Sequence, residues 1–316
     1  MTPARFALVF PGQGSQWVGM GRDVYDAYPV ARAVFAQADE ALGEPLTRLC
    51  FEGPADALEN TLNAQPAILA ASIALWRVLE VELGWRPLAA AGHSLGEYSA
   101  LVAAGALEFA EAVRLVRERG RCMEAASGSG AGMLVVLGLD ESSAREVAAQ
   151  ASAATGAQVS LANYNCPGQL VLGGEDRALE AAAQLARQRG AKRALRLPIS
   201  VASHTPLMAP AAERFAAAVA RTPLATPAFP VVGNAFSAPL VDAEAVRREL
   251  PGQLVRPVDW PACVRELAGL GAHVLWEVGP RSALAGLCKR LEAAPTVRTL
   301  TTAEEVGALL QEAREG

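Results

Sequence analysis

The 316-residue chain is 52% hydrophobic, carries a formal net charge of -5 and has a pI near 5.4. That apolar content suffices for one large core or two modest ones, and the acidic balance argues against a general nucleic-acid binder. No segment reaches the roughly 18 apolar residues of a membrane span, since the run at 67–76 is cut by Arg77. The N-terminus shows no charged region followed by an apolar one, so no secretion signal is expected. Five scattered cysteines, never spaced C-x-x-C, read as reduced thiols of a cytoplasmic protein; with only three histidines, no metal site is expected.

Residues 5–10, Arg-Phe-Ala-Leu-Val-Phe, form an apolar run fit for a buried parallel strand. A polar, glycine-rich loop at 11–16 follows, a natural place for backbone N–H groups to meet a ligand. Apolar positions repeat with helical spacing over 25–42, and Pro66 is expected in the first turn of a helix that runs toward Leu83. A turn at 84–87 leads into an apolar run at 88–91 and then into Gly92-His93-Ser94-Leu95-Gly96, with a helix-like run at 97–106 behind it. Strand, sharp turn and helix are the context in which Gly-x-Ser-x-Gly is a nucleophile elbow. Its glycines serve a turn where a Cβ would clash, and the helix N-terminus turns its N–H groups toward the serine. Residues 108–126 read as a long amphipathic helix bearing Arg114, Arg117, Arg119 and Arg121; spacing alone does not say which turns inward.

A flexible junction is expected at 127–132, and the pattern then changes. Strands at 133–139, 158–163, 169–173 and 193–198, with helices at 141–153 and 176–189, give the order β-α-β-β-α-β of a ferredoxin-like unit. The chain is therefore read as α/β, with a small subdomain at 129–198 inserted into a larger one made of 1–128 and 199–316. Ser203 is expected to cap a helix-like segment at 206–220, directly after His204. Strands at 229–233 and 274–278 and helices at 282–291 and 302–314 complete the reading.

Seven separated stretches carry a resemblance. They are Phe-Pro-Gly-Gln-Gly-Ser-Gln at 10–16, Gly-His-Ser-Leu-Gly-Glu at 92–97, Arg119 in Arg-Gly-Arg-Cys-Met, and Asn-Tyr-Asn-Cys-Pro-Gly-Gln at 163–169. Further on stand Ser203-His204, Gln253 in Gln-Leu-Val-Arg-Pro-Val, and Glu-Val-Gly-Pro at 277–280. In this order, over nearly the whole chain, they resemble the malonyl-CoA:acyl-carrier-protein transacylases of fatty-acid synthesis and the acyltransferase domains of polyketide synthases. The resemblance implies an α/β-hydrolase-like large subdomain with a parallel sheet.

It also implies a role for each matched residue. Ser94 is then the nucleophile that takes the acyl group from a CoA thioester, and His204 is its general base and, in turn, acid. No aspartate stands out as a third member; a backbone carbonyl near Gln253 would orient the imidazole. The N–H groups of Gln13 and Leu95 would form the oxyanion hole. Arg119 would pair bidentately with the free carboxylate of a malonyl group, which sets the substrate class. Asn163, Asn165 and Gln169 match positions that touch the acyl or pantetheine part, although an Asn-rich turn serves equally as a capped loop. His93 is expected to pack behind the elbow with no part in proton transfer, and His273 to be structural.

Leu95 resembles malonyl-selective members, whereas the Val-Ala-Ser-His stretch at 201–204 is nearer to methylmalonyl-selective domains, although the fatty-acid enzymes also place Ser before the catalytic His. Ser203 leaves room beside the α-carbon, so a substituted malonyl unit stays open. Malonyl is the preferred reading. A serine hydrolase that clears acyl groups from carrier proteins is the alternative activity, against which Arg119 counts; a non-catalytic docking relative is a third. The implied partners are malonyl-CoA and a phosphopantetheinylated acyl carrier protein, with no cofactor, no nucleic acid and no membrane. Since such carriers are acidic, a basic patch is expected among Arg187, Arg189, Lys192, Arg193 and Arg196. The protein is expected to be a cytoplasmic monomer.

Overall fold

Phe6–Phe10 is a strand in which all five residues are buried, because both of its faces are covered. Phe6, Leu8 and Phe10 point into the larger hydrophobic core, and Ala7 and Val9 into a second core on the opposite face. A computed structural model describes residues 5–127 and 130–315. The strands, in chain order, are β1 (Phe6–Phe10), β2 (Ala89–Gly92), β3 (Ala131–Leu137), β4 (Val159–Cys166), β5 (Gln169–Glu175), β6 (Arg193–Arg196), β7 (Val231–Val232), β8 (Pro239–Leu240), β9 (Val258–Asp259), β10 (Val274–Val278) and β11 (Thr296–Leu300). One sheet runs β11-β10-β1-β2-β7-β8, parallel except for the β8 edge. The chain is thus mixed α/β, with a largely parallel main sheet.

The second sheet runs β6-β3-β5-β4-β9. Its first four strands pair antiparallel, and two helices, Glu141–Thr155 and Asp176–Gln188, cover it over a separate apolar core. The fifth strand comes from beyond 129–198: β9 pairs parallel with β4, Asn163 opposite Val258. Two residues of the returning chain therefore stitch the small sheet to the large unit.

Several expectations need correction. Pro66 lies inside the helix Thr61–Leu83, whose N-cap is Asn60, not in its first turn. The preceding turn can form because the Asn60 side chain accepts from Leu62 N, and proline removes only its own donor from the ladder. Residues 128 and 129 of the expected flexible junction lie outside the described residues, while Ala131 and Gly132 already belong to β3. Ser203 caps nothing: Thr205 precedes a 3-10 turn at Pro206–Met208, and the helix proper is Ala209–Arg221. The helix expected at 282–291 shrinks to Ala285–Cys288. There the buried Glu277 carboxylate binds Ser282 Oγ and the N–H groups of Ala283, Leu284 and Ala285, holding the preceding stretch as a loop.

Candidate active site

The C-terminal ends of β1, β2, β7 and β10 converge on one edge of the main sheet, the edge where parallel α/β sheets place their sites. The loop after β1 and the elbow after β2 pack backbone to backbone. A Cβ on Gly96 would stand 2.0 Å from Phe10 O, one on Gly92 1.8 Å from Gly96 C, and one on Gly12 2.3 Å from His93 O. Only glycine fits at these three positions. The 279–280 stretch joins the same cluster, since a Cβ on Gly279 would meet Pro11 at 2.5 Å and Trp17 Nε1 donates to Pro280 O at 2.8 Å.

Ser94 has a φ of 53° and His204 a φ of 62°, both left-handed and neither glycine. Each such residue costs on the order of 1–3 kcal/mol and persists because its surroundings over-determine it. The helix Gly96–Ala103 starts immediately behind Ser94, and the buried Asn234, just past β7, clamps the turn. Asn234 Oδ1 accepts from Ser94 N at 2.7 Å and its Nδ2 donates to Gly92 O at 2.8 Å.

Ser94 Oγ lies 2.7 Å from His204 Nε2, and His204 Nδ1 lies 2.8 Å from the main-chain oxygen of Gln253. A carbonyl can only accept, so Nδ1 carries the proton and Nε2 is free to take one from the serine. Burial, followed by the positive charge of Arg119, lowers the His204 pKa to about 3. The imidazole is therefore neutral at physiological pH, the form a general base requires.

Arg119 resolves the ambiguity of its helix, Phe109–Ser127: it is 1% exposed and has no ion pair among the described residues, while Arg117, also buried, pairs with Glu44, and Arg114 pairs with Glu111. Its Nη1 donates to Gln65 Oε1 at 2.8 Å, and its Nη2 to Gln253 Oε1 at 2.9 Å and to Ser94 Oγ at 3.2 Å. Among the described residues its Nε makes no hydrogen bond, and its guanidinium carbon lies 5.5 Å from the Tyr98 ring centroid. Among the described residues no carboxylate stands within ion-pair distance of it. Burial lowers its pKa, yet a guanidinium stays charged at neutral pH. The site thus holds a buried, mobile-proton-free cation beside a hydroxyl that an imidazole can activate.

The N–H groups of Gln13 and Leu95 make no internal hydrogen bond among the described residues, and the Gln13 side chain is held by Thr61 Oγ1 at 3.3 Å. His93 points away from the serine: its Nε2 meets Asn165 Oδ1 at 2.9 Å and its ring lies against Trp260. Asn165 therefore ties β4 of the small sheet to the elbow. Asn163 is buried in β4, and Ser203 is buried beside His204. Gln169 is turned elsewhere, accepting from Arg290 at the surface at 3.2 Å. Gln65, Asn234 and Glu249 escaped the sequence reading. Asn234 had the one usable signal, its place just past a strand of the main sheet.

The acyl transferase domain family matches residues 7–314. The malonyl CoA-acyl carrier protein transacylase of Salmonella typhimurium is 45% identical over 307 residues, covering 97% of this chain and 99% of that one. The crystal structure of an acyl carrier protein S-malonyltransferase from Vibrio cholerae is 42% identical, with a TM-score of 0.92, over 97% of this chain and 100% of that one. A malonyl-transacylase in complex with its type II PKS acyl-carrier protein is 41% identical, with a TM-score of 0.94, over 98% of this chain and 100% of that one. A Ser–His pair on a glycine elbow, a buried arginine beside it and matches of this extent agree: the chain belongs to the acyl transferase family, alongside the malonyl CoA-acyl carrier protein transacylases.

Proposed function

We propose that this chain moves a malonyl group from malonyl-CoA to the phosphopantetheine thiol of an acyl carrier protein, through an acyl-enzyme on Ser94. The observation that carries the reading is Arg119, a buried guanidinium with no carboxylate of its own, in contact with the Ser94 hydroxyl. A malonyl carboxylate supplies the missing partner; an acetyl group leaves the cation buried and unpaired. Sites of this kind reject the analogue by factors on the order of 10⁴.

In the first half-reaction Ser94 Oγ attacks the thioester carbon as its proton passes to His204 Nε2, and the N–H groups of Gln13 and Leu95 receive the oxyanion. The intermediate collapses, the C–S bond breaks, and His204 returns the proton to the departing CoA thiolate. In the second half-reaction the carrier thiol gives its proton to His204 and attacks the acyl-serine, and Ser94 recovers the proton. The Gln253 carbonyl keeps the imidazole in one tautomer throughout. These steps draw on side chains and backbone alone, with no cofactor.

The finer architecture goes with this reading. The main sheet and elbow suit an α/β-hydrolase-like subdomain of 1–128 and 199–316. The order β6-β3-β5-β4 is that of a ferredoxin-like subdomain at 129–198. Asn163 and Asn165 line the small-sheet side of the cleft in this reading, with Ser203 beside the acyl α-carbon, while Gln169 loses its place there to Arg290. For the carrier, Lys192 and Arg193 are the exposed cations without a partner; Arg189 and Arg196 are ion-paired with Glu146 and Asp176, and Arg187 binds Ala194 O. Five free, buried cysteines fit a cytoplasmic, reducing location. A monomer accompanies the reading, and light scattering checks it.

Intact-mass measurement after separate incubation with malonyl-CoA, methylmalonyl-CoA and acetyl-CoA tests the function. A malonyl adduct that is absent in Ser94→Ala and passes to a carrier thiol faster than to water is expected. Labelling by acetyl-CoA but not malonyl-CoA overturns the reading and favours the hydrolase. A preference for methylmalonyl-CoA moves the substrate to the substituted unit.

A further inference from the structure

Two carboxyl groups beneath the elbow take no part in the steps above. Glu97 and Glu249 are both 0% exposed. Glu97 Oε2 accepts from Asn234 N at 3.0 Å and from Gln253 Nε2 at 2.8 Å, while its Oε1 has no donor among the described residues. Glu249 Oε1 accepts from Ala235 N, while its Oε2 has no donor among the described residues. Asn234 and Ala235 are consecutive, and the charge of Glu249 acts directly on Glu97, so the two carboxyl groups face one region beneath the elbow.

Buried carboxylates can be fully served. Glu277 is equally buried and receives four donors on its two oxygens. Glu97 and Glu249 are different, for among the described residues each keeps one buried oxygen with no hydrogen-bond donor and neither forms an ion pair. Two such charges side by side repel, and desolvation penalises both. A single proton between the bare oxygens removes one charge and serves both acceptors at once.

We propose that Glu97 and Glu249 share one proton in a carboxyl–carboxylate hydrogen bond from Oε1 to Oε2, and that this pair positions the Ser94–His204 dyad. The connections are direct. Glu97 holds Gln253 Nε2, and Gln253 in turn holds His204 Nδ1 on its main-chain oxygen and Arg119 on its side chain. Glu97 also holds Asn234 N, and Asn234 clamps Ser94 N and Gly92 O. Gly233 closes the arrangement, since a Cβ there would stand 2.6 Å from the Glu249 carboxyl carbon. Burial accordingly pushes the Glu249 pKa up to about 7, and burial with the charge of Glu249 raises that of Glu97 well above the usual carboxylate range. Neither glutamate reaches a reacting atom; both are positioning residues.

Infrared difference spectroscopy of the unliganded protein at neutral pH tests the pairing. The expected result is a protonated carboxyl stretch that shifts in D2O, moves on ¹³C labelling of glutamate and vanishes in both Glu97→Gln and Glu249→Gln. Its absence from the parent protein overturns the proposal, whether or not the variants fold. Malonyl transfer supplies a second arm, which rests on the transacylase reading. Glu249→Gln places an N–H donor where the proton stood and keeps kcat near that of the parent; Glu249→Ala loses on the order of tenfold in kcat with KM little changed. Equal damage by Gln and Ala in folded protein, judged by thermal melts, overturns the positioning role. The spectrum is independent of substrate, so a protein with the band but no malonyl transfer keeps the pair and sinks the function.

Discussion

Gln253 receives the Nδ1–H of His204 on its main-chain oxygen, so the group that orients the imidazole has no side-chain chemistry. The Gln253 side chain serves Arg119, Glu97 and the Ser94 carbonyl instead. Gln253→Ala therefore keeps the imidazole acceptor and loses the tether of the guanidinium. Lost hydrogen bonds to charged groups total about 2–3 kcal/mol, a fall of about 30- to 100-fold in kcat/KM. Steady-state transfer kinetics check this, and Ser94→Ala must be far worse in the same assay.

The carboxylate clamp separates charge from geometry. Arg119→Ala is expected to lose malonyl loading by a factor on the order of 10⁴ while acetyl loading rises relative to it. Arg119→Lys keeps a positive charge but has no fork with which to hold Gln65, Gln253 and a carboxylate together, so it rescues poorly. Single-turnover loading of Ser94 followed by mass spectrometry measures both.

His204 makes a pH prediction with a definite sign. Its folded pKa is lowered to about 3 from 6.5, so it stays neutral well into the acid range. The acid limb of kcat/KM should therefore lie well below the ordinary imidazole range. For stability, the unfolded chain takes up a proton near 6.5 that the folded site refuses until about 3. The His204 contribution is thus fully present above the unfolded value and is lost as pH falls toward the folded one. Thermal melts should show His204→Asn losing less stability than the parent over that window.

The elbow glycines are steric requirements. Alanine at Gly92 or Gly96 drives a Cβ to 1.8 or 2.0 Å from backbone atoms that cannot swing aside. Each substitution is expected to cost about 3 kcal/mol or more and to lower soluble yield. Gly286→Ala is the control, because its Cβ meets nothing within 4 Å and lies in the helix Ala285–Cys288. There alanine gains about 0.5–1 kcal/mol of helix propensity. Denaturant titration of the three variants makes the comparison.

Local pattern made much of the framework legible. β1 announces itself as an apolar pentapeptide, the elbow as Gly-x-Ser-x-Gly between an apolar run and a helix, and the second sheet as alternating strands and helices. Each is a short-range signal, carried by residues adjacent in sequence. Between Gly233 and Val274 the secondary structure was opaque for the opposite reason, although the Gln253 motif stood out there. The helices Ala243–Gln253 and Trp260–Gly269 carry internal or leading prolines, and β8 and β9 have only two residues each. Strands that short exist because a partner is there to pair with, not because of their own sequence.

Within the site the division is the same. The sequence by itself determined which groups are available: a serine on an elbow, two histidines near serines, four arginines on one helix, and the motif order that resembles a transacylase. The motif order had already singled out Arg119 and His204 over His93, and the tertiary structure supplied the contacts, with Arg119 Nη2 and His204 Nε2 both on Ser94 Oγ and His93 on Asn165. The tertiary structure alone brought Asn234, 140 residues away, and Gln253, 159 residues away, onto the Ser94 backbone. The physical reason is that chemistry is set by residue type, while burial, charge and hydrogen-bond partnership arise from contacts between distant segments, which no local spacing encodes.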